Sequence, residues 1–111
     1  MIWASGLFDG EGCFTRGSNG YVRQDGTQKF YPVAKLGMND RDSVERFRAA
    51  MGFGTIHSRR GGRHWTWSAG GFERFQATVG LLWTGLSARR RERALSLLKD
   101  GHDGACWPRE I

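Results

Sequence analysis

Apolar residues recur along this chain in two rhythms, one fitting helices and the other strands. Positions 2–11 follow the helical spacing, with Ile2, Gly6 and Gly10 on one stripe and Trp3 and Leu7 beside it. Cys13-Phe14-Thr15-Arg16-Gly17 then reads as a strand, and the turn signals Asn19-Gly20 and Asp25-Gly26 place a long polar hairpin loop after it. Positions 29–38 return as a second strand, in which Pro32 argues that its nitrogen faces an edge or a bulge. From Asp40 the period changes. Val44, Phe47 and Met51 share one helical face, Asp42 and Glu45 resemble a capping box, and Gly52 supplies the stop.

A second hairpin is predicted over 54–59 and 64–68 around Gly61-Gly62. Trp65 and Trp67 mark its core face, and His64, Thr66 and Ser68 its polar face. A third helix over about 72–83 carries Phe72, Phe75, Val79 and Leu82 as its stripe. Gly85 breaks it, and Ser87 caps a fourth helix running through Leu95 and Leu98. The order helix, hairpin, helix, hairpin, helix, helix implies one α+β domain over 1–99. A loosely ordered, Gly- and Pro-punctuated tail follows over 100–111, from which Trp107 can fold back.

The first helix is costly by its own composition. A glycine in a helix interior loses about 1 kcal/mol against alanine, so two of them four residues apart need a reason. Gly6 and Gly10 on one face would let another backbone approach closely. Asp9 and Glu11 follow at the negative end of the helix dipole, where carboxylates are disfavoured unless a cation is near. A metal site answers that pattern; an amphipathic helix ending in a glycine cap with both acids solvated is the plain alternative.

Charge narrows the choice of partner. The net charge is +6 with a pI near 10.2, and all but Lys29, Lys35 and Lys99 of the 17 basic residues are arginine. Guanidinium groups suit phosphates and guanine edges, which favours a polyanion. Cys13 and Cys106 are far apart, and no secretory signal or membrane-length apolar run is seen, so a reduced cytosolic chain is expected. His102 and Cys106 are too few ligands for structural zinc.

Ala4-Ser5-Gly6-Leu7-Phe8-Asp9-Gly10-Glu11-Gly12 resembles the signature that names the LAGLIDADG homing endonucleases, with Ala4 and Ser5 its loosest places. The order of elements agrees over roughly 2–99. The resemblance implies an αββαββα(α) fold with a four-stranded antiparallel saddle-shaped sheet. It also implies a homodimer of single-motif chains packed through Ile2, Trp3, Gly6, Leu7 and Gly10. The activity it implies is divalent-metal-dependent cleavage of a long pseudo-palindromic double-stranded DNA site, leaving short 3′ overhangs. The host would be an intron or other mobile element of bacterial, phage or organellar origin.

Site residues follow from the same resemblance. Glu11 and the Gly10 carbonyl would hold Mg2+ or another divalent cation, with Asp9 left a structural part. Arg90, with Arg89 and Arg91 as near alternatives, would steady the scissile phosphate. Many members carry Gln at the end of the second strand to organise water; here the position is Met38, with Asn39 as the candidate replacement. Thr15, Arg23, Lys35, Thr55, His57, Arg59, His64 and Thr66 are nominated for base contacts, and Arg16, Arg60 and Arg63 for phosphates. For most of these, a solvated side chain is the competing reading. Two other functions stay open: a DNA-binding regulator of the same fold that has lost catalysis, and an intron RNA maturase. His57 and His64 have no Ser or Cys partner at recognisable spacing, so nucleophilic catalysis is unsupported.

Overall fold

The computed structural model describes residues 1–22, 26, 28–59 and 61–103. Arg23, Arg60, Cys106 and Trp107 therefore lie outside the described residues. Helix α1 (Ile2–Glu11) leads into β1 (Gly12–Val22) and β2 (Gln28–Met38), followed by α2 (Arg41–Met51). The second unit is β3 (Thr55–Arg59), β4 (His64–Gly70) and α3 (Phe72–Leu82); a 3-10 turn (Trp83–Gly85) then joins α4 (Ala88–Asp103). The strands form one four-stranded antiparallel sheet, as the resemblance implied, in the order β1-β2-β4-β3.

Alternation divides the sheet into two faces. Phe14, Ala34, Leu36, Trp67 and Ala69 point into a core shared with Ala4 and Phe8 of α1, Val44, Phe47 and Met51 of α2, Phe75, Val79 and Leu82 of α3, and Ala94 and Leu97 of α4. Its centre is aromatic. The Phe47 ring meets Trp67 edge-on at 4.8 Å between centroids, and Phe8 lies 4.9 Å from Phe14. The opposite face carries Thr15, Lys35, Thr66, Thr55, His57 and Arg59.

Several expectations shift in detail. Asn19-Gly20 does not turn the chain: β1 runs through it to Val22, with its register to β2 irregular between Ser18 and Val22. β2 is an interior strand despite Pro32. The ladder to β4 begins one residue later at Val33, and the Pro32 carbonyl accepts from the Gly71 N–H at 3.0 Å. The nitrogen and carbonyl of one residue face the same neighbour in an antiparallel ladder, so the missing N–H falls where β4 has already ended.

The cap of α2 is Asp40, two residues earlier than the capping-box reading. Its carboxylate accepts from the Asp42 N–H at 3.2 Å and from the Ser43 hydroxyl at 2.6 Å, while Glu45 pairs with Arg41 at 2.7 Å. Gly52 ends the helix in the left-handed region at φ 84°. On α4, Leu95 is exposed; Ala94 and Leu97 carry the packing, and the helix continues past residue 99 to Asp103.

Candidate nucleic-acid interface and cleavage site

Three parts of the fold meet at the C-terminal end of α1. Phe8 plugs the core beneath it, and a Cβ at Gly12 would lie 2.6 Å from the Phe8 ring, so only glycine lets β1 leave the helix here. Ser5 is buried one turn earlier against Gly85, where a Cβ would collide with the Ser5 side chain. The 3-10 turn thus lies directly on α1, and Gly85 does more than break a helix.

Asp9 and Arg90 close the joint. The Asp9 carboxylate accepts the Ser87 N–H at 2.7 Å, and the Asp9 carbonyl accepts from Arg90 Nε at 3.2 Å. The Ser87 hydroxyl in turn accepts the Arg90 N–H at 3.4 Å, capping α4. The hydrogen bond from Ser87 is the chief reason that Asp9 ionises below the usual carboxylate range, with Arg90 and Arg89 adding to it. One carboxylate at the negative end of α1 is therefore held by a helix start, with two guanidinium groups favouring its charge. Glu11 differs: it is exposed, and no hydrogen bond or ion pair among the described residues holds its carboxylate.

The outer face of α1 is empty. Ile2 is 92% exposed and Trp3 41%, and a Cβ at Gly6 or Gly10 would meet nothing within 4 Å. Trp3 is covered on one side by the Arg46 guanidinium, 4.7 Å from its ring centroid. Leu7, placed by sequence among the interface residues, instead packs partly against this chain's own core.

The consecutive arginines at the start of α4 separate into different tasks. Arg91 donates to the carbonyls of Trp83 at 3.0 Å and Thr84 at 3.3 Å and stacks on the Trp83 ring, so it secures the 3-10 turn. Arg90 uses Nε on Asp9. Arg89, Arg90 and Arg93 line a cleft of about 270 Å³ with Cys13 and Phe14, and Arg93 Nε reaches the Phe14 carbonyl on the outer edge of β1 at 3.3 Å. The motif-based reading did not single out Arg93; its spacing of four from Arg89 on a helix was the available signal.

On the open sheet face, register brings Lys35 opposite Cys13 and Ser68, and His57 opposite Thr66. Thr55 lies 3.4 Å from both His57 Nε2 and the Ser68 hydroxyl. Thr15, Lys35, Thr55, His57, Arg59, His64 and Thr66 thus share the face on which they were nominated. Arg63 is exposed in the turn before β4. Arg16, one position from Thr15 and opposite Pro32, falls by alternation on the helix-covered side. Met38 packs against the core, and Asn39 Oδ1 contacts His64 Nδ1 at 3.0 Å.

As a metal site, Glu11 and the Gly10 carbonyl offer a sparse all-oxygen set, and no group of three His, Cys, Asp or Glu converges among the described residues. That suits Mg2+, which keeps several waters and takes one or two carboxylates plus substrate phosphates. Among the described residues no helix is long and apolar enough to cross a membrane.

No protein-family model matches the chain, and no curated protein matches it. Solved structures do. The homing endonuclease I-CvuI, in complex with the I-CreI target in 2 mM Mg with the DNA not cleaved, superposes with a TM-score of 0.73 at 20% identity, covering 88% of this chain and 62% of that one. The archaeal intron-encoded homing endonuclease I-Vdi141I, complexed with DNA, gives 0.68 at 19%, covering 90% and 69%. The LAGLIDADG meganuclease I-AabMI, bound to uncleaved DNA, gives 0.69 at 20%, covering 89% and 35%. The chain has the LAGLIDADG homing-endonuclease fold. Identity at this level carries the fold alone, and the chain spans 62% of the length of I-CvuI.

Proposed function

We propose that this protein is a site-specific double-stranded DNA endonuclease that works as a homodimer with a divalent cation. The observation that carries the reading is α1. Its glycine face is empty, and it ends in an exposed carboxylate that nothing among the described residues holds. Two copies packed through Ile2, Trp3, Gly6 and Gly10 would cover that face and bring two Glu11 residues together, one for each strand. A two-fold dimer reads two related half-sites, so the target is near-palindromic. Support for DNA as the substrate comes from the basic charge, the polar open face and structural neighbours solved on DNA.

Glu11 and the Gly10 carbonyl would hold the cation, which when bound activates water and steadies the leaving oxygen. The chain's own groups do the rest. Arg90, anchored through Nε, keeps its other N–H groups for the scissile phosphate as charge develops. Thr55, His57 and Thr66 stand on the β3–β4 ribbon, with Lys35 beside them on β2; a two-stranded ribbon of this kind enters the major groove and reads base edges.

The test is selection of bound duplexes from a random library, followed by incubation of the winners with magnesium. A near-palindromic sequence that is cut by the native chain is the expected result. Loss of a group that only orients a metal ligand costs about 10–100-fold. Glu11→Gln removes a ligand itself and should cost at least that in cleavage while binding persists. Absence of any selected sequence would sink the proposal. A second reading, a binding-only descendant, is favoured by one observation: Met38 points into the core and Asn39 is engaged by His64. It predicts a selected sequence that stays intact.

A further inference from the structure

The cleft between the outer edge of β1 and the first two turns of α4 has no role in the reading above beyond Arg90. Arg89 and Arg93 stand four apart on α4 and share the cleft with Arg90, Cys13 and Phe14. No acid lies in the first turn of α4, where three consecutive arginines oppose the positive end of the helix dipole. The Asp9 carboxylate beside the start of α4 is engaged by the Ser87 N–H, and its carbonyl by Arg90. Arg89 has no hydrogen bond or ion pair among the described residues, and Arg93 uses only Nε, on the Phe14 carbonyl. The cleft therefore gathers three guanidinium groups against the partial offset of Asp9 alone, in an opening with room for a phosphodiester group.

We propose that this cleft is a phosphate clamp for duplex DNA, in which Arg89 and Arg93 grip a backbone phosphate flanking the one that is cut. It rests on the DNA reading above and extends it to a second phosphate. The forked guanidinium suits such a grip, donating two parallel N–H groups to one phosphate. Bonding of Arg93 to the β1 edge fixes where that fork stands relative to Glu11, two residues before Cys13. A clamp of this kind sets the register of the backbone over the site and carries no base specificity.

Salt dependence of binding tests it. Each phosphate neutralised contributes about −0.9 to the slope of log K against log salt on B-DNA. A labelled duplex of arbitrary sequence is titrated with the native chain and with Arg89→Gln, Arg93→Gln, the double variant and, as a control outside the cleft, Arg74→Gln. The clamp predicts a shallower slope by about 1 for the double variant, measured against an unchanged Arg74→Gln. Arg89→Gln alone, which breaks no bond within the protein, should already flatten the slope. Binding by the native chain with an unchanged slope in the variants overturns the clamp and leaves the DNA reading standing. A native chain that binds no duplex overturns both.

Discussion

α1 and α2 are helices of nearly equal length, and they are built on opposite terms. α2 explains itself: Asp40 caps its start, Gly52 its end, and Val44, Phe47 and Met51 bury one stripe while charged residues face water. α1 has no side-chain cap, no acid in its first turn and no base in its last. It buries Ala4, Ser5 and Phe8, and presents to solvent Ile2, Trp3 and two glycines that weaken it. What α2 draws from its own sequence, α1 draws from neighbours: Arg90 and Ser87 at its end, Gly85 beneath Ser5, and nothing yet on its outer face. A helix whose composition costs stability without return inside its own chain is shaped for something outside it.

The largest effect should fall on the self-sufficient helix. Phe47 is fully buried between Trp67 and Phe8, with ring centroids at 4.8 Å and 6.1 Å. Phe47→Ala should lose about 3–5 kcal/mol, a large part of the 5–15 typical of a domain. Denaturant melts measure it; a loss below about 1 kcal/mol would mean that α2 does not anchor the core as described.

The glycine face of α1 gives a smaller effect with two signs. Because added methyl groups at Gly6 and Gly10 meet nothing, the double alanine variant should stabilise the monomer by about 1 kcal/mol per site. The same methyl groups would hold two α1 helices apart, so dimerisation should weaken at least tenfold by sedimentation equilibrium. A variant that gains stability and dimerises as before would show that the glycines serve no partner.

How far the sequence revealed all this follows the same division. The core stripes of α2 and α3, the Trp65/Trp67 alternation and the empty glycine stripe were legible, because each depends on residues a few positions apart. So was the αββαββα order. The joint between Asp9 and Ser87 was not, since its partners stand 78 residues apart and no local period links them. Nor was the separation of Arg89, Arg90 and Arg91 into different tasks: three identical neighbours are told apart only by the carbonyls they reach. Pro32 was legible only in part for a related reason. Proline excludes a ladder bond, but where β4 ends beside it is a property of another strand.

The smallest effect concerns the joint that α1 borrows from α4. The Asp9 carboxyl ionises below its ordinary value because the Ser87 N–H, and then Arg90 and Arg89, favour its charged form. A group whose pKa is depressed by folding contributes stability that is complete above the unfolded value, about 3.9 for Asp, and is lost as pH falls through the folded value. An acid beside a helix N-terminus contributes about 0.3–1 kcal/mol, and solvent around this half-exposed carboxylate holds it toward the lower end. Asp9→Asn should therefore lower the melting temperature slightly at pH 6 and leave it equal to the native chain's near pH 2. Asp40, whose pKa is depressed by the Ser43 hydroxyl and the Asp42 N–H, provides the matching test on α2. If both variants behave alike in stability but only Asp9→Asn also impairs cleavage, the joint positions Glu11 as well as closing the helix. If neither impairs it, the end of α1 is held by Phe8 and Gly12 alone.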